Sequence, residues 1–239
     1  MRAETPAPDD RSFELAGEHQ LPRSNDDHRV VILEQAAPRA IEWTAERISS
    51  GGVVAIPTDT VYGIAASLAH PAALDRIYEI KGRPDRMPLP VLVSSVDALS
   101  HLVLLEDAVV PLLDAFWPGP LTVVLPATAR VPERVLGPGG TVGVRLPNHP
   151  IAIEVIDKAG GAIACTSANR TGEEPGHTAT DVAESIGDQL DLILDSGRAP
   201  GGISSTVVAI DGVTLRFIRE GAISMIEVIR IWDEIRLNT

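Results

Sequence analysis

Val53-Val54-Ala55-Ile56-Pro57-Thr58-Asp59-Thr60-Val61-Tyr62-Gly63 is the stretch that decides how this chain is read. Val53 to Ile56 is an unbroken apolar run and reads as a buried strand. Pro57 ends it, and Thr58-Asp59-Thr60 falls at the strand's carboxyl end, where open α/β sheets place their ligands. Upstream, Pro38 opens a helix whose Ile41, Ala45 and Ile48 share one face, and Gly51-Gly52 closes it. Downstream, Pro71 starts a second helix with Leu74, Ile77 and Tyr78 on one face and Gly82 as its stop, which leaves Lys81 in the last turn. Further strands are expected at 89–93, 121–125, 142–146, 162–165, 190–194, 206–210 and 215–218. A helix over 150–159, capped by Asn148 or His149, and a packing helix over 223–235 with Ile226, Ile229 and Trp232 complete the pattern. Helices interleaved with strands, some joined by tight turns such as Asp211-Gly212, indicate an α/β fold with a mixed sheet.

The organisation around that stretch is a single domain. Residues 1–28 mix Pro, charged residues and scattered apolar positions, a composition that cannot offset the entropy of ordering, and read as a disordered acidic tail. From Val30 onward apolar clusters recur without a break in composition, giving a domain over 29–221 and a helical tail over 222–239. The 239 residues carry 33 acidic against 20 basic side chains, a net charge of -13 that disfavours nonspecific nucleic-acid binding. Cys165 is the one cysteine, so neither an internal disulfide nor a multi-thiolate zinc site can form. With no signal-peptide pattern and no apolar run near the ~20 residues a bilayer requires, a cytoplasmic location with no membrane contact is expected.

Familiar catalytic motifs are missing: there is no GxxxxGK[ST], no GxSxG and no HExxH. Cys165 ends an apolar strand without a base beside it and reads as a buried small residue. What remains is four polar clusters. Thr58-Asp59-Thr60 with Tyr62 and Gly63 could bind a small zwitterion or form a turn held by its own side chains. Lys81-Gly82-Arg83 sets two cations at a helix end, where they complement the helix dipole or grip a polyphosphate. Lys81 is one of only two lysines, the other being Lys158, in a chain with 18 arginines, which favours the second reading. Cys165-Thr166-Ser167-Ala168-Asn169 offers hydrogen-bonding groups after a strand, for a ribose, phosphate or carboxylate, or for an Asn-centred turn. Arg145 lies inside an apolar run and must find an anion or reach solvent; Ser204-Ser205-Thr206 and Arg219 flank later strands. Together they describe a pocket for a phosphorylated or carboxylated small molecule, without a covalent nucleophile.

In their order, these clusters resemble the YrdC-like family, the threonylcarbamoyl-AMP synthases. The resemblance covers about 30–221 and is carried by seven blocks in register: Pro57 to Gly63, Lys81-x-Arg83, Pro118-Gly119-Pro120-Leu121-Thr122, Val144-Arg145-Leu146-Pro147, Ser167-x-Asn169, Ser205-Thr206-Val207-Val208 and Arg219-Glu220-Gly221. It implies a twisted mixed parallel and antiparallel sheet flanked by helices, with a large concave cavity. It also implies a nucleotidyltransferase that condenses L-threonine, bicarbonate and ATP, with Mg²⁺, to threonylcarbamoyl-AMP and pyrophosphate. That product would pass to a transferase that makes threonylcarbamoyladenosine in tRNA. By the same resemblance Lys81, Arg83, Arg145, Ser167, Asn169, Ser205 and Arg219 hold ATP, with Lys81 and Arg83 also catalytic, and Thr58, Thr60, Tyr62 and Thr122 lie by the threonine. The Mg²⁺ ligands are left open.

Three departures accompany the match. After Gly221 there is only a short helical tail, as in the short form of the family. Met87 stands before Pro88-Leu89 where many relatives have His or Lys, with Arg86 as a candidate substitute, and Ala209 stands where relatives often have Asp. Arg198 to Ser205, rich in Pro and Gly, is a candidate cover for the site. The competing function is a double-stranded-RNA-binding module without synthase activity, which the charge of -13 and 3 % aromatic content oppose. Hydrogenase-maturation carbamoyltransferases share the domain but need cysteine-rich zinc fingers, which one cysteine cannot supply.

Overall fold

The computed structural model describes residues 30–82 and 87–237. The expected tail over 1–28, together with Arg83 and Arg86, lies outside the described residues. Among the described residues ten strands form one sheet: β1 (Val31–Glu34), β2 (Val54–Ile56), β3 (Gly63–Ser67), β4 (Val91–Val93), β5 (Leu121–Pro126), β6 (Thr141–Arg145), β7 (Ala162–Ser167), β8 (Leu192–Asp195), β9 (Thr206–Asp211) and β10 (Thr214–Arg219). Their spatial order is β1-β8-β2-β3-β7-β4-β6-β5-β9-β10. The pairs β1–β8, β2–β8, β4–β6 and β5–β9 are parallel; β2–β3, β3–β7, β4–β7, β5–β6 and β9–β10 are antiparallel. The α-helices among the described residues are α1 (Ala40–Ser49), α2 (Pro71–Lys81), α3 (Val110–Phe116), α4 (Pro150–Lys158), α5 (Ala179–Ile186) and α6 (Met225–Leu237). None is long and apolar enough to cross a membrane.

Side-chain alternation sorts the core onto the two faces of this sheet. On one face Ala55, Ile64, Val91, Val123, Val144 and Val208 meet α2, α3, α5 and α6 through Leu74, Leu113, Val182 and Trp232. On the other, Val54, Ile56, Ala65, Ile163 and Leu192 meet α1 and α4 through Trp43, Ile48, Val155 and Ile156. That second cover ends near β4. Beyond it the same face of β5, β6 and β9 turns Thr122, Val124, Gly143, Arg145, Val207 and Ala209 into an open trough, whose wall takes no residue from any helix among the described residues. The fold therefore makes its cavity by leaving half of one sheet face uncovered.

Most expected elements are present, with two kinds of difference. The strand expected at 89–93 starts only at Val91, because Pro88 and Pro90 have no N–H to give a ladder. β1, β3, α3 and α5 were not singled out by the sequence reading. The antiparallel pair β2–β3, in register from Ile56↔Gly63, encloses the Thr58–Tyr62 loop as its turn. Gly63 also packs on β7, where a Cβ would stand 2.5 Å from Cys165 Sγ. Gly63→Ala is accordingly expected to lower the unfolding free energy by about 1–3 kcal/mol, the usual cost of overpacking. Adding Cys165→Ala should recover most of the loss, and urea unfolding of the single and double variants checks both statements.

Candidate active site

The α2 helix carries Lys81 as its last residue, and Gly82 in the left-handed conformation (φ 55°) turns the chain away behind it. This directs the ammonium at the end of β7. Lys81 Nζ donates to Ser167 O at 2.7 Å, Ser167 Oγ at 3.2 Å and Asn169 Oδ1 at 2.7 Å, and Ser167 Oγ donates to Asn169 Oδ1 at 2.6 Å. The side chains of Lys81 and Asn169 are buried, while Ser167 reaches the trough.

The β2–β3 loop supplies the second group. Thr58 Oγ1 donates to Val61 O at 2.7 Å and accepts from Thr60 N at 3.2 Å. Its proton being committed, the 3.0 Å contact between the two threonine hydroxyls is donated by Thr60. Thr60 Oγ1 in turn accepts from Arg145 Nη1 at 3.2 Å. The guanidinium also donates from Nε to Gly119 O at 3.0 Å and forms an ion pair with Asp59 through Nη2. Burial pushes the Arg145 guanidinium below its ordinary value, and the Asp59 carboxylate pulls the other way. The anion that a cation embedded in a strand requires is thus Asp59.

A third group closes the far wall. Thr122 Oγ1 and Ser205 Oγ lie 2.9 Å apart, and Arg219 Nη2 donates to Ser205 O at 2.8 Å. Thr206 fixes the turn behind Arg219: its hydroxyl donates to Ile223 O at 2.5 Å and accepts from Gly221 N at 2.9 Å. Burial also lowers the Arg219 guanidinium from its ordinary value.

All three groups meet one cavity of about 1050 Å³, at the upper end of the roughly 300–1,000 Å³ usual for small-molecule sites. Thr58, Thr60, Tyr62, Thr122, Arg145, Ser167, Ser205 and Arg219 line it; Lys81 and Asn169 adjoin it through Ser167. Arg83 lies outside the described residues. Tyr62 is fully buried and its hydroxyl donates to Gly197 O at 2.7 Å while accepting from Ser196 N at 3.2 Å, so the phenol ties down the loop after β8. The segment Arg198 to Ser205 lies against the Thr58–Thr60 turn through Gly202 N to Thr60 O at 2.7 Å, and Ser204 and Ser205 are its residues in the cavity wall.

Two charged wall residues were not read as part of the site. Arg216 and Asp211 sit at the β9–β10 end; the alternation Thr214, Arg216, Ile218 along β10 was the available signal, since it places Arg216 on the trough side. Among the described residues the charged wall residues are then Arg145, Arg216 and Arg219 against Asp211, so an acidic chain presents a locally cationic cavity. Met87 and Ala209, the two departures noted above, both line it.

The thiol of Cys165 is also in the wall, but burial pushes it up to about 12 from an ordinary value near 9. It is therefore inert at neutral pH. A folded-state value above the unfolded one gives stability that is fully present below about pH 9 and is lost as pH rises toward 12. Two outcomes are expected: a disulfide reagent at about pH 8 labels Cys165 only after denaturation, and Cys165→Ala flattens the fall in stability between about pH 9 and 12.

A mixed α/β sheet with a cation-lined trough, and no activated nucleophile among the described residues, has the architecture suited to holding and aligning anionic small molecules. Comparison with known proteins makes this specific. The Sua5/YciO/YrdC family, described as telomere recombination, matches residues 46–221, and the chain belongs to it. A threonylcarbamoyl-AMP synthase of Pyrococcus abyssi is 36% identical over 215 residues, covering 87% of this chain and 63% of the relative. The Halorhodospira halophila threonylcarbamoyl-AMP synthase is 33% identical over 183 residues, 76% of this chain and 95% of that one. Among solved structures, P. abyssi Sua5 complexed with L-threonine superposes with a TM-score of 0.79 at 34% identity, over 84% of this chain and 60% of Sua5. The chain thus spans less than two thirds of the Pyrococcus relative's length.

Proposed function

We propose that this chain is a threonylcarbamoyl-AMP synthase, joining L-threonine, bicarbonate and ATP and releasing pyrophosphate, for threonylcarbamoyladenosine formation in tRNA. The observation that carries the reading is the convergence of the Lys81–Ser167–Asn169, Thr58–Thr60–Arg145 and Thr122–Ser205–Arg219 groups on one cavity. Relatives named for this activity favour it over duplex-RNA binding.

The chemistry asks little of the protein beyond alignment and charge. Threonine's amine combines with bicarbonate, losing water, to give N-carboxythreonine. A carbamate oxygen then attacks the α-phosphorus of ATP in line, and the bond to pyrophosphate breaks. Lys81 and Arg83 stabilise charge on the phosphoryl oxygens; Thr58, Thr60, Tyr62 and Thr122 hold the amino acid, and Arg145, which bonds to Thr60, goes with them rather than with ATP as the resemblance implies; Ser205 and Arg219 hold the remainder of the nucleotide. Alignment of a short-lived carbamate with the α-phosphate is the main contribution.

Among the described residues no cluster of His, Cys, Asp or Glu could hold a metal ion, and the wall offers one carboxylate, Asp211, besides its hydroxyls. Such a donor set fits Mg²⁺ that arrives on the triphosphate and keeps much of its water. Bound there, the ion neutralises phosphate charge. Pyrophosphate release, measured with threonine, bicarbonate or ATP omitted in turn, tests the reading: it must require all three. Release without threonine, or none with all three present, overturns it.

A further inference from the structure

The side-chain amide of Asn169 is fully engaged inside the protein. Oδ1 accepts from Lys81 Nζ at 2.7 Å and from Ser167 Oγ at 2.6 Å; Nδ2 donates to Arg170 O at 2.9 Å and Glu173 O at 2.6 Å. A primary amide has two acceptor positions and two donor hydrogens, so all four are filled. The orientation of the amide is fixed by chemistry, because an ammonium can only donate and must face the oxygen. Asn169 is also buried and contributes nothing to the cavity wall, unlike Ser167 beside it. The turn it holds is joined to α2 a second time, by Thr171 N to Lys81 O at 2.8 Å.

We infer that Asn169 is a positioning residue that acts on the nucleotide through Lys81 and the Ser167 hydroxyl, without touching it. Its oxygen fixes the ammonium next to Ser167, and its amide hydrogens hold the 170–173 turn against the end of α2. A lysine on a flexible four-carbon stem is a poor fixed charge; held at Asn169 Oδ1 and Ser167 O it keeps its orientation, and its longest bond, the 3.2 Å one to Ser167 Oγ at the cavity wall, is the donor it has to offer a phosphate oxygen. This inference rests on the synthase reading and replaces the direct ATP contact that the family resemblance implies for Asn169.

A double-mutant cycle on nucleotide affinity tests it, with α,β-methylene ATP and Mg²⁺ as the unreactive probe in titration calorimetry. Asn169→Ala alone is expected to weaken binding about ten- to a hundredfold, the usual range for a hydrogen bond to a charged group. In the Lys81→Ala protein the same substitution should cause at most a small further loss, through the Ser167 hydroxyl, so the coupling equals most of the effect of Asn169→Ala. Equal losses in both backgrounds overturn the inference, and a merely structural role gives that result. Should Asn169→Ala not fold, a crystal of the wild-type protein with the same probe decides the matter. Asn169 bonded to Lys81 and out of hydrogen-bond reach of the nucleotide supports the inference; its amide turned onto the nucleotide overturns it. Failure of the wild-type protein to bind the probe at all removes the nucleotide site, and with it the synthase reading, a result distinct from additive losses in a protein that binds.

Discussion

Lys81→Ala is expected to slow pyrophosphate release by about a hundred- to a thousandfold, the range seen when one preorganised donor to developing charge is removed. The argument is geometric. Lys81 is 4% exposed, yet its ammonium lies 3.2 Å from Ser167 Oγ, a hydroxyl in the cavity wall. Its position is set by the end of α2 and by acceptors on the β7 end, so the charge is in place before substrate arrives. Lys81→Arg should recover little, because a planar guanidinium cannot occupy a nest shaped for a compact ammonium. The fold itself should survive: leaving Asn169 Oδ1 and Ser167 O without this donor costs about 1–3 kcal/mol, a part of the roughly 5–15 kcal/mol typical of a domain. Lys158→Ala is the control, since that ammonium pairs on the surface with Glu42 at 3.2 Å. Initial rates with all three substrates, beside thermal melts of each variant, give the comparison; Lys81→Ala within about threefold of wild type removes Lys81 from the chemistry.

How far the sequence could be read follows from what each residue signals locally. Helices with proline at their start and glycine at their stop, such as α2, were legible because both signals act within the helix's own turns. By contrast β3, Gly63-Ile64-Ala65-Ala66-Ser67, has small residues of low strand propensity. It is a strand because β2 and β7 pair with it on either side, a condition no local pattern announces. The α5 helix did announce itself, through Thr178 and Asp181 in a reciprocal cap, and was overlooked among the turn residues around it. In the site, the polar clusters were visible as residues too polar for packing, but the trough that unites them was not. It arises where α1 and α4 end, and strands such as β5 and β9 look equally apolar whether a helix covers them or not. Arg145 shows the boundary most clearly: its need for an anion was written in the sequence, whereas the identity of that anion depended on folding.

That pairing gives the second large effect, on stability. Asp59→Ala leaves the Arg145 guanidinium, 7% exposed in its side chain, without its carboxylate in a place where burial already disfavours its charge. Removing one member of a buried ion pair costs about 3–5 kcal/mol, enough to bring a domain of this size near its unfolding limit. Replacing the pair as a whole is a different matter, since apolar side chains of similar volume avoid the desolvation cost of two charges. The double variant Asp59→Ala with Arg145→Met should therefore be more stable than Asp59→Ala alone, recovering most of the about 3–5 kcal/mol that the single change costs. Turnover behaves otherwise. Arg145 also donates to Thr60, whose hydroxyl leads on to Thr58, so the double variant loses the cation and the arrangement of both threonines together. Stability restored without activity would place Arg145 in the site and Asp59 behind it as the group that keeps the charge where it is. Urea unfolding and the pyrophosphate assay on the three proteins separate the two contributions, and a double variant no more stable than Asp59→Ala would mean that the ion pair is not what holds this part of the sheet.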